Sequence, residues 1–171
     1  FKIKTLGRWY PTAVRTGIDR KYKKYISNYG QSYGEWAEPT EVHITGFRDF
    51  ACPHPEETTA YIVYMLQTMA EIAEVLGKAE DKKRFSEYAE KAKIGYGKLI
   101  ECPEFTLDTD RQAKLVRPLY MGLLDEKQIE FAQKRLITAL EHYDWRLGTG
   151  FLSTPFILYV LEKIDVEYAY K

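Results

Sequence analysis

The residues with side chains suited to chemistry are scattered along this chain, and one loop has spacing that is itself informative. From Arg146 to Phe156 the chain reads Arg-Leu-Gly-Thr-Gly-Phe-Leu-Ser-Thr-Pro-Phe, so two glycines and several hydroxyl and proline breakers interrupt strongly helical sequence. Glycine reaches backbone angles closed to other residues and lets main chain come close to a ligand. Gly148 and Gly150 around Thr149 therefore suit either a tight helix-to-helix turn or the wall of a site. On local grounds the turn is the simpler reading, with a helix started by Pro155 after it.

The remaining candidates for chemistry are weaker. Among 25 acidic residues, Glu56 with Glu57 and Asp108 with Asp110 are pairs close enough to consider. Both pairs are most simply read as helix N-terminal charges that complement the dipole, so spacing selects no catalytic pair. Cys52 and Cys102 stand in no CxxC or CxxH arrangement, which leaves neither a zinc site nor a disulfide framework and implies free thiols. His43, His54 and His142 are isolated, and a lone histidine is more often structural than a ligand. No metal and no cofactor is expected.

Composition bounds what these residues could belong to. A chain of 171 residues, 45% of them hydrophobic, suits a single domain, 1–171, with a real core. Lysine plus arginine and aspartate plus glutamate both number 25, so the net charge is zero and no whole-chain field recruits nucleic acid or a membrane surface. The one basic stretch, Lys2 to Lys24, reads as a solvated helix face because Tyr22, Tyr25, Ile26 and Tyr29 recur on its other side. No apolar run reaches the length of a membrane span, and no signal-peptide pattern is visible. Phe1 opens in what reads as mid-protein sequence, so the chain is expected to be a fragment.

Five helices must position the loop. The first runs from Glu56 to Leu76 through Ile62, Val63, Leu66, Met69, Ala70 and Ala73, with Pro55 at its start and Gly77 at its stop. Asp81 to Ile100 repeats the pattern through Phe85, Tyr88, Ala89, Ala92, Tyr96 and Leu99, and the short connection at Gly77 makes the two an antiparallel hairpin. A third is expected from Thr109 to Gly122, kinked or shifted by Pro118. A fourth follows Asp125, an N-cap with Gln128 three residues on, and buries Ile129, Ala132, Leu136, Ala139 and Leu140 before ending near His142. The fifth, Pro155 to Lys163, is apolar almost all round, as a helix buried on several sides would be. Only Val42 to Phe47 hints at a strand. The segment 37–55, rich in turns, is a candidate long loop or lid.

The class is therefore all-α, and two architectures fit paired antiparallel helices. One is a superhelical repeat scaffold, for which no repeat period is present. The other is an α/α toroid whose loops build a pocket at one end. The tract Tyr33-Gly34-Glu35-Trp36, then Thr59-Ala60-Tyr61 leading into Ala70-Glu71-Ile72-Ala73-Glu74-Val75-Leu76-Gly77, resembles the α-L-rhamnosidases of glycoside hydrolase family seventy-eight. Asp108-Thr109-Asp110-Arg111-Gln112-Ala113, Met121-Gly122-Leu123-Leu124 and Thr149-Gly150-Phe151-Leu152-Ser153-Thr154-Pro155 continue in that family's order, so the resemblance runs from about Tyr10 to the C-terminus.

The resemblance implies part of an (α/α)6 barrel, a six-hairpin glycosidase, and inverting hydrolysis of a terminal α-L-rhamnosyl unit. An inverting pair of carboxyl groups stands roughly 6.5–9.5 Å apart to admit a water. The family's acid and base motifs match nothing in these residues, so no catalytic residue is assigned here and the fragment alone is expected to be inactive. Trp36 matches the tryptophan of the family's Tyr-Gly-Asp-Trp and offers an indole face to a deoxysugar. Glu35 replaces the aspartate there, one methylene longer. Thr149, Gly150 and Phe151 carry over as pocket wall, and Trp145 is a weaker candidate near the loop. The expected partner is a rhamnosylated carbohydrate or glycoside. Phe156, Leu158 and Val160 would self-associate if a truncated barrel left their inner-helix surface open. The rival reading is a helical scaffold or carbohydrate-binding module without chemistry.

Overall fold

The computed structural model describes Ile18 and residues 20–28, 32–43 and 53–171. Every regular element among the described residues is helical. The chain divides into two compact units, Phe1–Tyr33 with Arg48–Phe105 and Gly34–Phe47 with Thr106–Lys171.

The first unit contains α1 (Arg20–Lys23), α2 (Pro55–Val75), α3 (Ala79–Ile100) and a 3-10 turn at Pro103–Phe105. Pro55 sits in the first turn of α2 with Glu56 and Glu57 beside it, as the fixed φ of proline and the helix dipole favour. The helix stops at Gly77, whose φ of +66° is open to glycine without strain. There the Lys78 amide donates to the Ala73 carbonyl at 2.8 Å and the Gly77 amide to the Glu74 carbonyl at 3.0 Å, closing the helix end.

With only Leu76 to Lys78 between them, α2 and α3 fold back on each other, and Tyr96 late in α3 donates its hydroxyl to Glu56 at the start of α2 at 2.9 Å. Their shared core is Ala60, Val63, Ala70 and Ala73 from α2 with Ala89, Ala92, Tyr96 and Leu99 from α3. The expected stripe on α2 mixed two faces. Met69 and Leu76 are exposed, in a row with Met65 and Ile72, while the alanines take the inner side. On α3, Tyr88 is also exposed. The helix expected near the basic stretch is one turn long, with Ile18, Ile26 and Leu99 buried together beside it. Tyr29, Cys52 and the basic residues before Ile18 lie outside the described residues, and Cys102 is a half-buried free thiol.

The second unit contains α4 (Gln112–Tyr120), α5 (Glu126–His142), α6 (Thr154–Ile164) and α7 (Val166–Ala169). The capping box at α5 forms as its sequence predicts: Gln128 donates its amide to Asp125 at 2.9 Å, and Asp125 donates its own amide to the Gln128 side chain at 3.0 Å. Ala132, Leu136, Ala139 and Leu140 are its buried face.

Four expectations are corrected here. α4 begins at Gln112 rather than Thr109, because Thr106 and Thr109 hydroxyls take the amides of Asp108 and Arg111 at 3.1 and 3.2 Å and hold that stretch out of the helix. Asp108 and Asp110 consequently do not sit in a helical first turn. They grip Arg135 of α5 at 2.9 and 2.8 Å, and Asp110 also meets His142 at 3.2 Å.

The third concerns α6, which is one-sided: Ile157, Val160 and Leu161 are buried, whereas Leu158 is 53% and Tyr159 57% exposed. Phe156 stacks on Tyr120 with ring centroids 4.2 Å apart, so of Phe156, Leu158 and Val160 only Leu158 is open. In the stretch expected as a weak strand, Val42 and His43 form a turn instead, both donating amides to the Pro39 carbonyl, and residues 44–47 lie outside the described set. Among the described residues no helix is long and apolar enough to cross a membrane.

Candidate functional site

The glycine loop between α5 and α6 is built against residues 34–38, and both segments lie in the second unit. A side chain on Gly150 would place its Cβ 2.0 Å from the Glu35 carbonyl oxygen and 2.2 Å from that of Trp36. Both obstacles are main chain, so only glycine permits this approach. The Phe151 amide then donates to the Trp36 carbonyl at 2.7 Å, joining the two segments backbone to backbone.

Side chains reinforce the junction. Glu35 is 4% exposed, and its carboxylate accepts the Ser153 amide at 2.6 Å, the Ser153 hydroxyl at 2.9 Å and Arg117 Nη1 at 2.9 Å. Burial pushes its carboxyl above the ordinary 4.5, opposed by the Arg117 charge and the two Ser153 bonds. Ser153 is the residue that caps α6, so a carboxylate from far back in the chain sits where the helix dipole is positive. Gln112, fully buried, accepts the Gly148 amide at 2.7 Å and donates to the Arg146 carbonyl at 3.0 Å, fixing the other end of the loop. Arg111 grips Glu38 with both Nε and Nη2.

This bracing holds a backbone that short segments rarely adopt. Trp36 and Ala37 have φ of +32° and +61°, a region that costs a side-chain-bearing residue roughly 1–3 kcal/mol unless its surroundings impose it. What the braced junction presents outward is aromatic. Trp36 is 50% and Phe151 76% exposed, carried on the two residues whose backbones are bonded together.

The structure therefore brings together all five residues named from sequence, in two roles. Trp36 and Phe151 face outward. Glu35, Thr149 and Gly150 form the frame, Thr149 being buried with its hydroxyl 2.8 Å from that of Thr154. Trp145 goes elsewhere, stacked at 5.4 Å on Tyr168 with Lys171 over its ring. Sequence reading missed Arg117, Ser153 and Gln112. The available signal was Arg117 between Val116 and Pro118 on an apolar helix, since an arginine buried there implies a buried acid. Among the described residues no three His, Cys, Asp or Glu side chains gather where they could hold a metal ion.

Residues 4–171 match the bacterial alpha-L-rhamnosidase 6 hairpin glycosidase domain. The chain belongs to that family. It is all-α, and its antiparallel hairpins are part of an (α/α)6 toroid. It is similar to an alpha-L-rhamnosidase of Formosa agariphila, 28% identical over 163 residues, covering 87% of this chain and 17% of that one. Among solved structures, alpha-L-rhamnosidase from Dictyoglumus thermophilum matches 86% of this chain and 16% of its own, at TM-score 0.70 and 28% identity. The Streptomyces avermitilis enzyme, solved in complex with L-rhamnose, matches 84% of this chain and 13% of its own, at TM-score 0.68 and 26% identity. This rhamnosidase-family chain thus spans less than a fifth of the length of each of these relatives.

Proposed function

We propose that the protein carrying this chain hydrolyses terminal α-L-rhamnosyl residues with inversion. The braced junction would serve as sugar-facing wall, and the acid and base would come from sequence beyond these 171 residues. The observation that carries the reading is that two exposed aromatic residues, Trp36 and Phe151, stand on backbones bonded to each other in a frame too tightly held to be an ordinary surface turn. Aromatic faces suit the apolar face and methyl group of a deoxyhexose. A buried, hydrogen-bonded frame spares the ordering cost that a loose loop would incur on binding. Family membership over residues 4–171 supports the same activity.

In this reading residues 1–171 are one all-α portion of the barrel, with 37–55 as the long connection or lid. Self-association would rest on Leu158 and Tyr159, and sedimentation of Leu158→Glu against the unsubstituted protein tests it. Activity is tested by release of rhamnose from an aryl α-L-rhamnoside by the full-length protein, with the product's anomeric configuration followed by NMR. Rhamnose should appear first as the inverted anomer, and Trp36→Ala should raise KM about tenfold or more. A folded protein that releases none is not a rhamnosidase, and the non-catalytic scaffold reading then takes its place.

A further inference from the structure

The carboxylate of Glu35 is the least expected feature of the junction. A side chain carried over as sugar-binding would turn an oxygen outward, yet this one is 1% exposed and both oxygens are taken. Oε1 accepts the Ser153 amide at 2.6 Å, and Oε2 accepts Arg117 Nη1 and the Ser153 hydroxyl at 2.9 Å each. A buried carboxylate with three donors, one of them its ionic partner, is satisfied, and reaching a ligand would require breaking these bonds.

Its neighbours show what the bonds hold. Trp36 follows directly, with its backbone in the left-handed region and its carbonyl bonded to the Phe151 amide at 2.7 Å. Two links, Glu35 to Ser153 and Trp36 to Phe151, therefore tie adjacent residues of one segment to residues 151 and 153 of the other. With Gly150 pressed against both carbonyls, the backbones that carry the two rings have no slack to slide past each other.

We propose that Glu35 is a positioning residue: anchored to Ser153 and Arg117, it sets the placement of the Trp36 and Phe151 rings and so the affinity for the apolar face of a deoxyhexose. The proposal rests on the rhamnosidase reading for its ligand but not for its geometry. Glutamate rather than aspartate sets the reach of the anchor, so the length of the side chain matters as well as its charge.

The test compares Glu35→Gln, which keeps length without charge, with Glu35→Asp, which keeps charge one methylene short. In the full-length protein labelled with 5-fluorotryptophan, the Trp36 resonance is assigned by its loss in Trp36→Phe. Glu35→Gln should shift that resonance and raise KM for an aryl rhamnoside about tenfold, with kcat within about twofold. Glu35→Asp, whose anchor is present but shortened, should displace the resonance less than Glu35→Gln and raise KM correspondingly less. Should Glu35→Gln not fold, Ser153→Ala removes one of the three bonds and is expected to move both readouts the same way, with KM rising about threefold.

An unmoved Trp36 resonance overturns the proposal, as does a variant that loses thermal stability while KM stays at the wild-type value. A wild-type protein without rhamnosidase activity overturns the preceding reading instead, and the fluorine resonance still decides whether Glu35 places the indole.

Discussion

The hairpin of α2 and α3 and the glycine-loop junction before α6 are both buried and both precise, but different forces hold them. In the hairpin, alanines, Val63, Leu99 and the ring of Tyr96 close an apolar seam between neighbours in sequence, with the Tyr96–Glu56 bond as a buried polar contact. In the junction the fixing groups are Glu35, Arg117, Ser153 and Gln112, all buried and polar, and Glu35 meets its partners across 82 and 118 residues. An apolar seam tolerates small changes in proportion to volume lost, whereas a satisfied polar cluster fails abruptly when one member is removed. A site that must keep two exposed rings in place is better served by the second kind.

The largest expected break in this comparison is Arg117→Ala, which strands the Glu35 carboxylate without its counter-charge. Chemical denaturation should show a loss of about 3–5 kcal/mol, and a loss below about 1 kcal/mol would mean the junction is not held as described. Gly150→Ala comes next. Its Cβ meets two carbonyl oxygens at 2.0 and 2.2 Å that cannot yield as a side chain would, so a cost near the upper end of overpacking, about 3 kcal/mol, is expected. The same substitution at Gly97 in α3, where an added Cβ meets nothing within 4 Å, should instead stabilise by roughly 0.5–1 kcal/mol. Opposite signs in parallel thermal melts sharpen the contrast; equal effects erase it.

Tyr96→Phe probes the hairpin's polar contact. Removing the hydroxyl should cost about 1 kcal/mol and leave helix content by circular dichroism unchanged, since the seam rather than the bond holds the pair.

The smallest effect is in the pH dependence, where two carboxyls of the second unit act with opposite sign. Burial raises the Glu35 carboxyl above 4.5, so its stabilising contribution is full below that value and falls as pH rises through the raised one. For Asp110 partial burial would raise the carboxyl, but Arg135 and His142 outweigh it and hold it below 3.8. Its contribution is present above that value and lost as pH falls. Being largely exposed, it should amount to a few tenths of a kcal/mol. Denaturation of Asp110→Asn against wild type at pH 3 and pH 7 should therefore show a smaller difference at the lower pH.

Much of the fold could be read directly from residue periodicity. Pro55, Gly77 and the Asp125–Gln128 box mark helix ends by mechanisms confined to a few residues, and the ends fall where those residues stand. The errors came where a side chain's partner was distant or its face ambiguous. Thr106 and Thr109 redirected the start of α4, Asp108 and Asp110 found Arg135 instead of a helix dipole, and α2 carries apolar residues on two faces. For the candidate site, the ordered tracts pointed to Trp36 and the glycine loop, but they carried no information on which residues face outward.

The sequence by itself determined the helical class, the α2–α3 hairpin, the capping of α5 and the need for a glycine-rich loop after α5, because each depends on interactions within a turn or two of chain. Only the tertiary structure decided that Gly150 lies against the carbonyls of residues 35 and 36, that Glu35 is buried on Arg117 and Ser153, and that Trp36 and Phe151 are left exposed at their junction. Those outcomes turn on burial and on hydrogen bonds between residues far apart in the chain, and neither burial nor pairing at that distance is encoded in local spacing.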